Sequence, residues 1–271
     1  MSATPIPMPR RLSIRDALGD ALVVTRRFML QLMRTPQLIV FSVFQTVLFL
    51  LLFRYVFGGS IHIPNLAYVD YIVPAFLVQI AIFEGFGIAI AMAEDAKSGL
   101  IERFQALPMA RSAFLTGRAI ADLLRETMLL GIVIGVGTLV GFSFHSDVGS
   151  ILAALALALG FGFALFWVFA WVGLSVRNTE TAQAASTPFF LLVFVSTSYI
   201  QVDTLPGWLQ PVARNQPVSQ LTNAIRGLTQ GHPAEILVEH STAHYVITSL
   251  LWCAALVAVF APLAIRAYRK L

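Results

Sequence analysis

The chain has 271 residues, of which 58% are apolar and 12% charged. A soluble domain carries about a quarter charged residues to dress its surface, so this composition points to an integral membrane protein. It excludes collagen-like, disordered and disulfide-scaffold classes, Cys253 being the only cysteine. The net charge of +4 is spread in punctuation between apolar runs rather than gathered on one face, which argues for loop sidedness in a membrane and against a nucleic-acid partner.

Residues 1–12 begin with a proline-rich stretch and read as a disordered cytoplasmic tail. They are not a signal peptide, because the first long apolar run starts too late and no small-residue cleavage site follows it. Residues 13–34 place Ile14, Leu18, Leu22, Thr25, Met29 and Leu32 at helical spacing, with Arg15, Arg26 and Arg27 elsewhere on the wheel. Ser13 and Asp16 resemble a capping box with Asp in the place of Glu. This predicts an amphipathic helix in the inner membrane interface, the plainer alternative being a soluble linker helix.

Runs nearly free of charge then predict six spans, at 38–57, 71–93, 113–142, 148–176, 182–202 and 244–265. A crossing needs about 20 helical residues, and 148–176 is long enough to tilt or protrude. None of the runs has the alternation of a lipid-facing strand, which excludes a closed barrel. Between the fifth and sixth spans, 203–243 is too polar to cross. There Pro217 starts a helix, Gly231 ends it, and Val218, Leu221, Ile225 and Leu228 share one face. With Trp208 at a headgroup boundary, this segment is expected to be an outer amphipathic helical segment dipping into the leaflet. The expected fold is therefore an all-α integral membrane protein with six transmembrane helices. Arg and Lys before the first span, in the 94–111 loop, at Arg177 and after the last span place both termini in the cytoplasm, leaving Arg54, Arg214 and Arg226 on the other side.

Catalytic motifs are scarce. The two lysines, Lys97 and Lys270, follow no glycine, so the chain has no P-loop for ATP. It also has no Gly-x-Ser-x-Gly elbow and no His-Glu-x-x-His helix. His62, His145, His232, His240 and His244 all fall on the predicted outer side. His240 and His244 are four apart, but no third ligand accompanies them, Glu239 pointing elsewhere on a helix, so no metal site is expected.

Ionisable side chains inside a membrane are costly and default to functional suspects. Glu84 lies in the second span, and Arg118, Asp122, Arg125 and Glu126 open the third. Arg118–Asp122 and Asp122–Arg125 are spaced to pair, and a Glu84–Arg125 bridge would join the two helices. The cluster has three uses from sequence: fixing the helices together, lining or gating a path, and coupling to protons. Gln45, Gln79, Ser196 and Ser198, with Phe190 and Phe194, are candidate substrate-lining residues; hydrogen bonding between helices is the commoner use of such polar groups. Gly85, Gly87, Gly160 and Gly162 are expected to allow close helix packing.

Two stretches resemble a known family. One runs Glu94-Asp95-Ala96-Lys97-Ser98-Gly99-Leu100-Ile101-Glu102-Arg103-Phe104 and continues through Leu107-Pro108 to Gly117-Arg118 and Ala121-Asp122. The other is Leu205-Pro206-Gly207-Trp208-Leu209-Gln210-Pro211, followed by Asn215-Gln216-Pro217-Val218-Ser219 and Ala224-Ile225-Arg226. Together with the topology they resemble the ABC-2 type transporter permeases, in the daunorubicin-resistance subgroup. Where that family often has Glu-Arg-Glu-x-Gly-Thr, this chain has Glu94 to Leu100.

The resemblance implies one permease domain over 13–271 in the cell inner or plasma membrane, acting as a non-catalytic subunit. Two copies of a separate ATP-binding subunit would carry ATP and Mg and dock on 94–111. Gly99, Leu100, Ile101, Glu102, Arg103 and Phe104 would form the coupling helix, with Leu100, Ile101 and Phe104 entering a groove on the ATPase and Glu102 and Arg103 at its rim. A second permease copy or a sister permease would complete the path, and amphiphilic drugs or lipids would move outward. Two other readings stay open: a carrier moving protons on Glu84, Asp122 or Glu126, and a membrane scaffold that transports nothing.

Overall fold

The computed structural model describes residues 14–59, 63–107, 109–110, 112–199, 202 and 205–271, and among these described residues prolines and polar breaks cut the apolar sequence into eleven α-helices. The 1–12 tail, Ser13 of the capping pair, His62, Pro108, Arg111 and Asp203 lie outside the described residues. The helices are α1 Ile14–Arg34, α2 Pro36–Leu52 with a π turn Phe53–Phe57, α3 Tyr68–Lys97, α4 Leu100–Gln105, α5 Ala113–Leu139, α6 Val148–Val176, α7 Thr179–Phe194, α8 Gln210–Asn215, α9 Pro217–Gln230, α10 His232–Glu235 and α11 Thr242–Arg269. No strand occurs among the described residues.

Local chemistry sets the ends. Pro36 disfavours helical backbone at Thr35, so α1 stops and α2 starts on a proline at its first turn. Asp147 caps α6 by accepting from the Ser150 amide at 3.1 Å, and Asn178 caps α7 by accepting from the Thr181 amide at 3.0 Å. The hydrogen bonds from Ser150 hold the Asp147 carboxyl below its ordinary range. α9 begins at Pro217 and ends at Gly231, whose φ of +62° suits glycine, as the sequence predicts.

α3 is the axis of the bundle. Its 30 residues span about 45 Å, and it packs against α5, α6, α7 and α9. α2 and α11 lie at the periphery, with Phe41, Phe44, Leu48, Ile247, Leu250 and Leu251 exposed. Four helical stretches are long and apolar enough to cross a membrane: Ile39–Phe57, Tyr68–Lys97, Val148–Val176 and Thr242–Arg269. The other two predicted spans depart from that standard. α5 carries four charged residues, and α7 has only 16 residues, ending at Phe194 instead of 202. Its helix stops where the Ser196 and Ser198 hydroxyls take up local hydrogen bonds: Ser196 Oγ donates to the Val193 carbonyl and lies 2.6 Å from Ser198 Oγ.

α1 has two apolar faces, where the spacing suggested one. Ala21, Val24, Thr25 and Phe28 are buried on α5, while Leu18, Leu22, Val23 and Met33 are exposed. Periodicity cannot separate protein from lipid, since both are apolar. At the α1–α5 crossing a Cβ on Gly117 would lie 2.6 Å from the Ala21 carbonyl oxygen and 2.7 Å from Val24 Cβ. Thr25 Oγ1 donates to the Gly117 carbonyl at 3.0 Å. Gly117→Ala is therefore expected to cost about 1–3 kcal/mol by forcing α1 off α5. Gly87→Ala, whose Cβ meets nothing within 4 Å, should not destabilise; melting the two variants side by side in detergent checks the contrast. Of the four glycines predicted to allow close packing, Gly85 faces the Phe169 ring and Gly162 the Glu126 carboxyl, whereas Gly87 and Gly160 face open space.

α9 also departs from expectation. It does not lie on a leaflet with one polar face free. Ser219, Thr222, Asn223 and Arg226 are buried along with Val218, Leu221 and Ile225, because α3, α6, α11 and the Ser196–Tyr199 turn surround it. Trp208, before it, is 77% exposed.

Candidate functional site

The charged residues of α3 and α5 meet as an ion-pair network. Arg125 Nε lies 2.9 Å from Glu84 Oε2, the bridge the spacing suggested, and Arg125 Nη2 donates to Ser42 Oγ of α2 at 2.8 Å. Arg118 lies between two acids, 3.1 Å from Asp95 and 3.2 Å from Asp122, with its guanidinium 4.4 Å from the Phe28 ring centroid on α1. The Asp122–Arg125 pair suggested by spacing is not among the ion pairs of the described residues: Asp122 goes to Arg118 and Arg125 to Glu84. The network thus ties α1, α2, α3 and α5 together. Glu126 is the exception. It is buried against Gly162, its Oε1 has no hydrogen-bond partner among the described residues, and a cavity of about 10 Å³, room for one water, adjoins it.

α4 sits at the same end of α3. Gly99 turns the chain with φ +70°, a left-handed conformation that favours glycine, and lets α4 fold back under the bundle. This corrects one expectation. Ile101 is 0% exposed and belongs to this chain's own core, so it cannot enter a groove on a partner. Phe104 is half-buried, 5.2 Å from the Phe114 ring and under the Arg27 guanidinium at 5.0 Å. Glu102, Arg103 and Leu107 remain exposed. Gln105 Nε2 donates to the Tyr268 carbonyl at 2.8 Å, and the Ala110 amide donates to Asp20 Oδ2 at 2.9 Å. The loop is therefore fastened to α1, α5 and α11 while its polar rim faces outward.

The candidate substrate-lining residues divide. Ser196 and Ser198 are 1% and 0% exposed, and Ser198 bonds Thr222 of α9 at 3.3 Å, so they join elements and line no open path. Gln79 is buried too and accepts from the Tyr199 hydroxyl. Gln45, on α2, is half-buried. Phe190 and Phe194 do lie on an accessible face, in a row of aromatic rings that continues through Phe83 on one side and Tyr199 and Phe53 on the other, each neighbour within 6.0 Å. Phe53, Phe83 and Tyr199 were missed in the sequence because the row is assembled from α2, α3, α7 and a turn.

At the far end of α3 a second cavity, of about 610 Å³, lies between Tyr71, the α8–α9 corner and the start of α11. Arg226, buried in its wall, was visible in the sequence as a basic residue of the outer segment and as the end of the second resembling stretch. Thr242 Oγ1 donates to Glu235 Oε1 at 2.7 Å, which holds that carboxyl below its ordinary range and fastens α10 to α11. His240 and His244 stack at 4.3 Å, and no group of three metal-ligating side chains occurs among the described residues.

Residues 20–229 match the family model described as ABC-2 type transporter. The chain is 30% identical over 247 residues to a daunorubicin resistance ABC transporter permease protein of Streptomyces coeruleorubidus, covering 90% of this chain and 84% of that one. It is 27% identical over 260 residues to a probable doxorubicin resistance ABC transporter permease protein of Mycobacterium tuberculosis, covering 93% and 89%. A second doxorubicin resistance permease from that organism is 28% identical over 162 residues, 59% of this chain and 55% of that one.

Proposed function

We propose that this chain, which belongs to the ABC-2 type transporter family, is the permease of an exporter that moves amphiphilic drugs or lipids outward across the plasma membrane, driven by a separate ATP-binding subunit docked on residues 94–111. α2, α3, α5, α6, α7 and α11 serve as the six spans, with both termini cytoplasmic. The charges of α5 are tolerated at depth because Arg118 and Arg125 are paired, and the short α7 is completed by the buried Ser196–Tyr199 turn.

The observation that carries this reading is the anchoring of α4. Its buried side, Ile101 and Phe104, its hydrogen bond from Gln105 to α11, and the bond from Ala110 just beyond it to Asp20 of α1 give it the build of a lever. Displacement of the exposed Glu102–Arg103 rim by a partner reaches α1, α5 and α11 through packed contacts. A nucleotide-driven change in the partner then biases the bundle between two arrangements. The row from Phe83 to Phe53 suits a flat or acyl-bearing cargo, since aromatic faces accept such groups without exacting hydrogen-bond demands.

Reversing both rim charges, Glu102→Arg with Arg103→Glu, should leave folding and insertion intact. It should also remove co-purification of the ATP-binding subunit and at least ten-fold of the cargo efflux, a loss of about 1.4 kcal/mol. Unchanged pull-down would contradict docking on this rim. Glu126 favours a second reading, a proton-coupled carrier, because its buried carboxyl has an oxygen without a hydrogen-bond partner among the described residues. Liposomes holding this chain alone, with a pH gradient and no nucleotide, distinguish them: accumulation of cargo there would establish the carrier and end the exporter reading.

A further inference from the structure

Arg226 presents an unbalanced charge. It is 1% exposed. Its Nε and Nη2 donate to the Tyr71 carbonyl at 3.1 Å each, Nη2 also to the Thr197 carbonyl at 3.1 Å, and Nη1 to Asn223 Oδ1 at 2.9 Å. The guanidinium carbon lies 3.7 Å from the Tyr71 ring centroid. Every one of these acceptors is neutral, and no acid pairs with Arg226 among the described residues. The hydrogen bonds account for where the side chain sits. They leave the charge itself without a counter-ion among the described residues, which is costly in a buried site.

The large cavity supplies the place where one would sit. Arg226, Asn223, Arg214, His240 and His244 line it, and its only acid among the described residues, Glu239, is already engaged by Arg214. Ile236, Leu237 and Val238 add apolar lining, and Ile236 is 57% exposed. A volume of about 610 Å³ with the buried Arg226 cation in its lining and apolar side chains beside it fits a headgroup with the first part of its chain. A compact inorganic anion would use only the cation.

We propose that this cavity is a phosphate-binding site for an amphiphile, taking the phosphodiester of an anionic lipid against Arg226 and Asn223 while its glycerol and upper acyl chain rest on Ile236–Val238. With Nε and Nη2 committed to the Tyr71 and Thr197 carbonyls, Arg226 offers a phosphate its uncompensated charge and the remaining Nη1 hydrogen, a charge-assisted contact rather than a bidentate fork. Placing the site on the external side rests on the topology proposed above; the binding does not.

The test is the melting temperature of the purified full chain in neutral detergent, followed by tryptophan fluorescence. The probes are short-chain phosphatidylglycerol, the matching phosphatidylcholine and inorganic phosphate. Phosphatidylglycerol should raise the midpoint by about 5 °C at saturation, and phosphatidylcholine by much less. A rise with inorganic phosphate as well assigns the site to the phosphate group itself, and its absence assigns it to the intact lipid. Arg226→Gln should abolish the shift. Because that variant also loses hydrogen bonds to two carbonyls, Arg214→Gln with His240→Gln and His244→Gln, all at the rim, provides the second arm and should at least halve the shift in a protein that folds normally. The proposal is overturned if phosphatidylglycerol leaves the midpoint unchanged, if phosphatidylcholine matches it, or if the rim variant keeps the full shift. None of these readouts involves transport, so their failure is separate from failure of the exporter reading.

Discussion

Arg125→Gln should lower the stability of the chain in detergent by about 3 kcal/mol, and Glu84→Gln in the same protein should restore most of that loss. Glu84 has 8% of its side-chain surface exposed and Arg125 20%, so both are largely withdrawn from water. Removing the arginine strands a carboxylate in the packed contact between α3 and α5, and also removes the donor to Ser42 that holds α2. Removing both charges leaves two amides of similar shape, which can hydrogen-bond each other. The measurement is a double-mutant cycle on melting midpoints, where 3 kcal/mol corresponds to roughly 8 °C for a chain of this size. Losses that simply add would mean the two side chains do not act as a pair. A rescued double variant that still exports cargo would give the pair a structural role and leave Glu126 as the ionisable group of the cluster whose function is open.

The Glu84–Arg125 bridge was legible in the sequence because helical spacing fixes which faces of adjacent spans carry the charges, and few charges compete for partners inside a membrane. The same logic placed the ends of α9 at Pro217 and Gly231 and found α1. It failed where burial is decided by a third element. α9 has the pattern of a surface helix, with polar residues along one side, but the Ser196–Tyr199 turn supplies hydroxyl and carbonyl partners that let that polar side be buried. That turn was itself hidden, since an apolar run with three hydroxyl residues reads as a continued span. The aromatic row was not legible for a related reason: each ring satisfies its own helix's pattern, and only the packing lines them up. In α4 the spacing gave no sign that Ile101 belongs to this chain's own core or that Phe104 packs on Phe114 of α5.

Ile101→Asp is accordingly expected to be the most damaging single change in the coupling loop, and damaging to the fold before any docking. The side chain is 0% exposed. Aspartate there loses the buried aliphatic surface and leaves a carboxylate among apolar neighbours, a combination that costs about 4 kcal/mol or more. The variant should be recovered poorly, with a melting midpoint well below wild type. Leu100→Asp, half-buried at the helix start, should cost about 1 kcal/mol. Glu102→Arg with Arg103→Glu, fully at the rim, should change stability by less than about 0.5 kcal/mol and yet lose the ATP-binding partner. Size-exclusion profiles and melting curves of the three variants, read beside their pull-downs, divide α4 into an anchoring side and a docking side. If Ile101→Asp instead folds like wild type and fails only in partner binding, Ile101 faces outward, and the lever has the opposite face toward the motor.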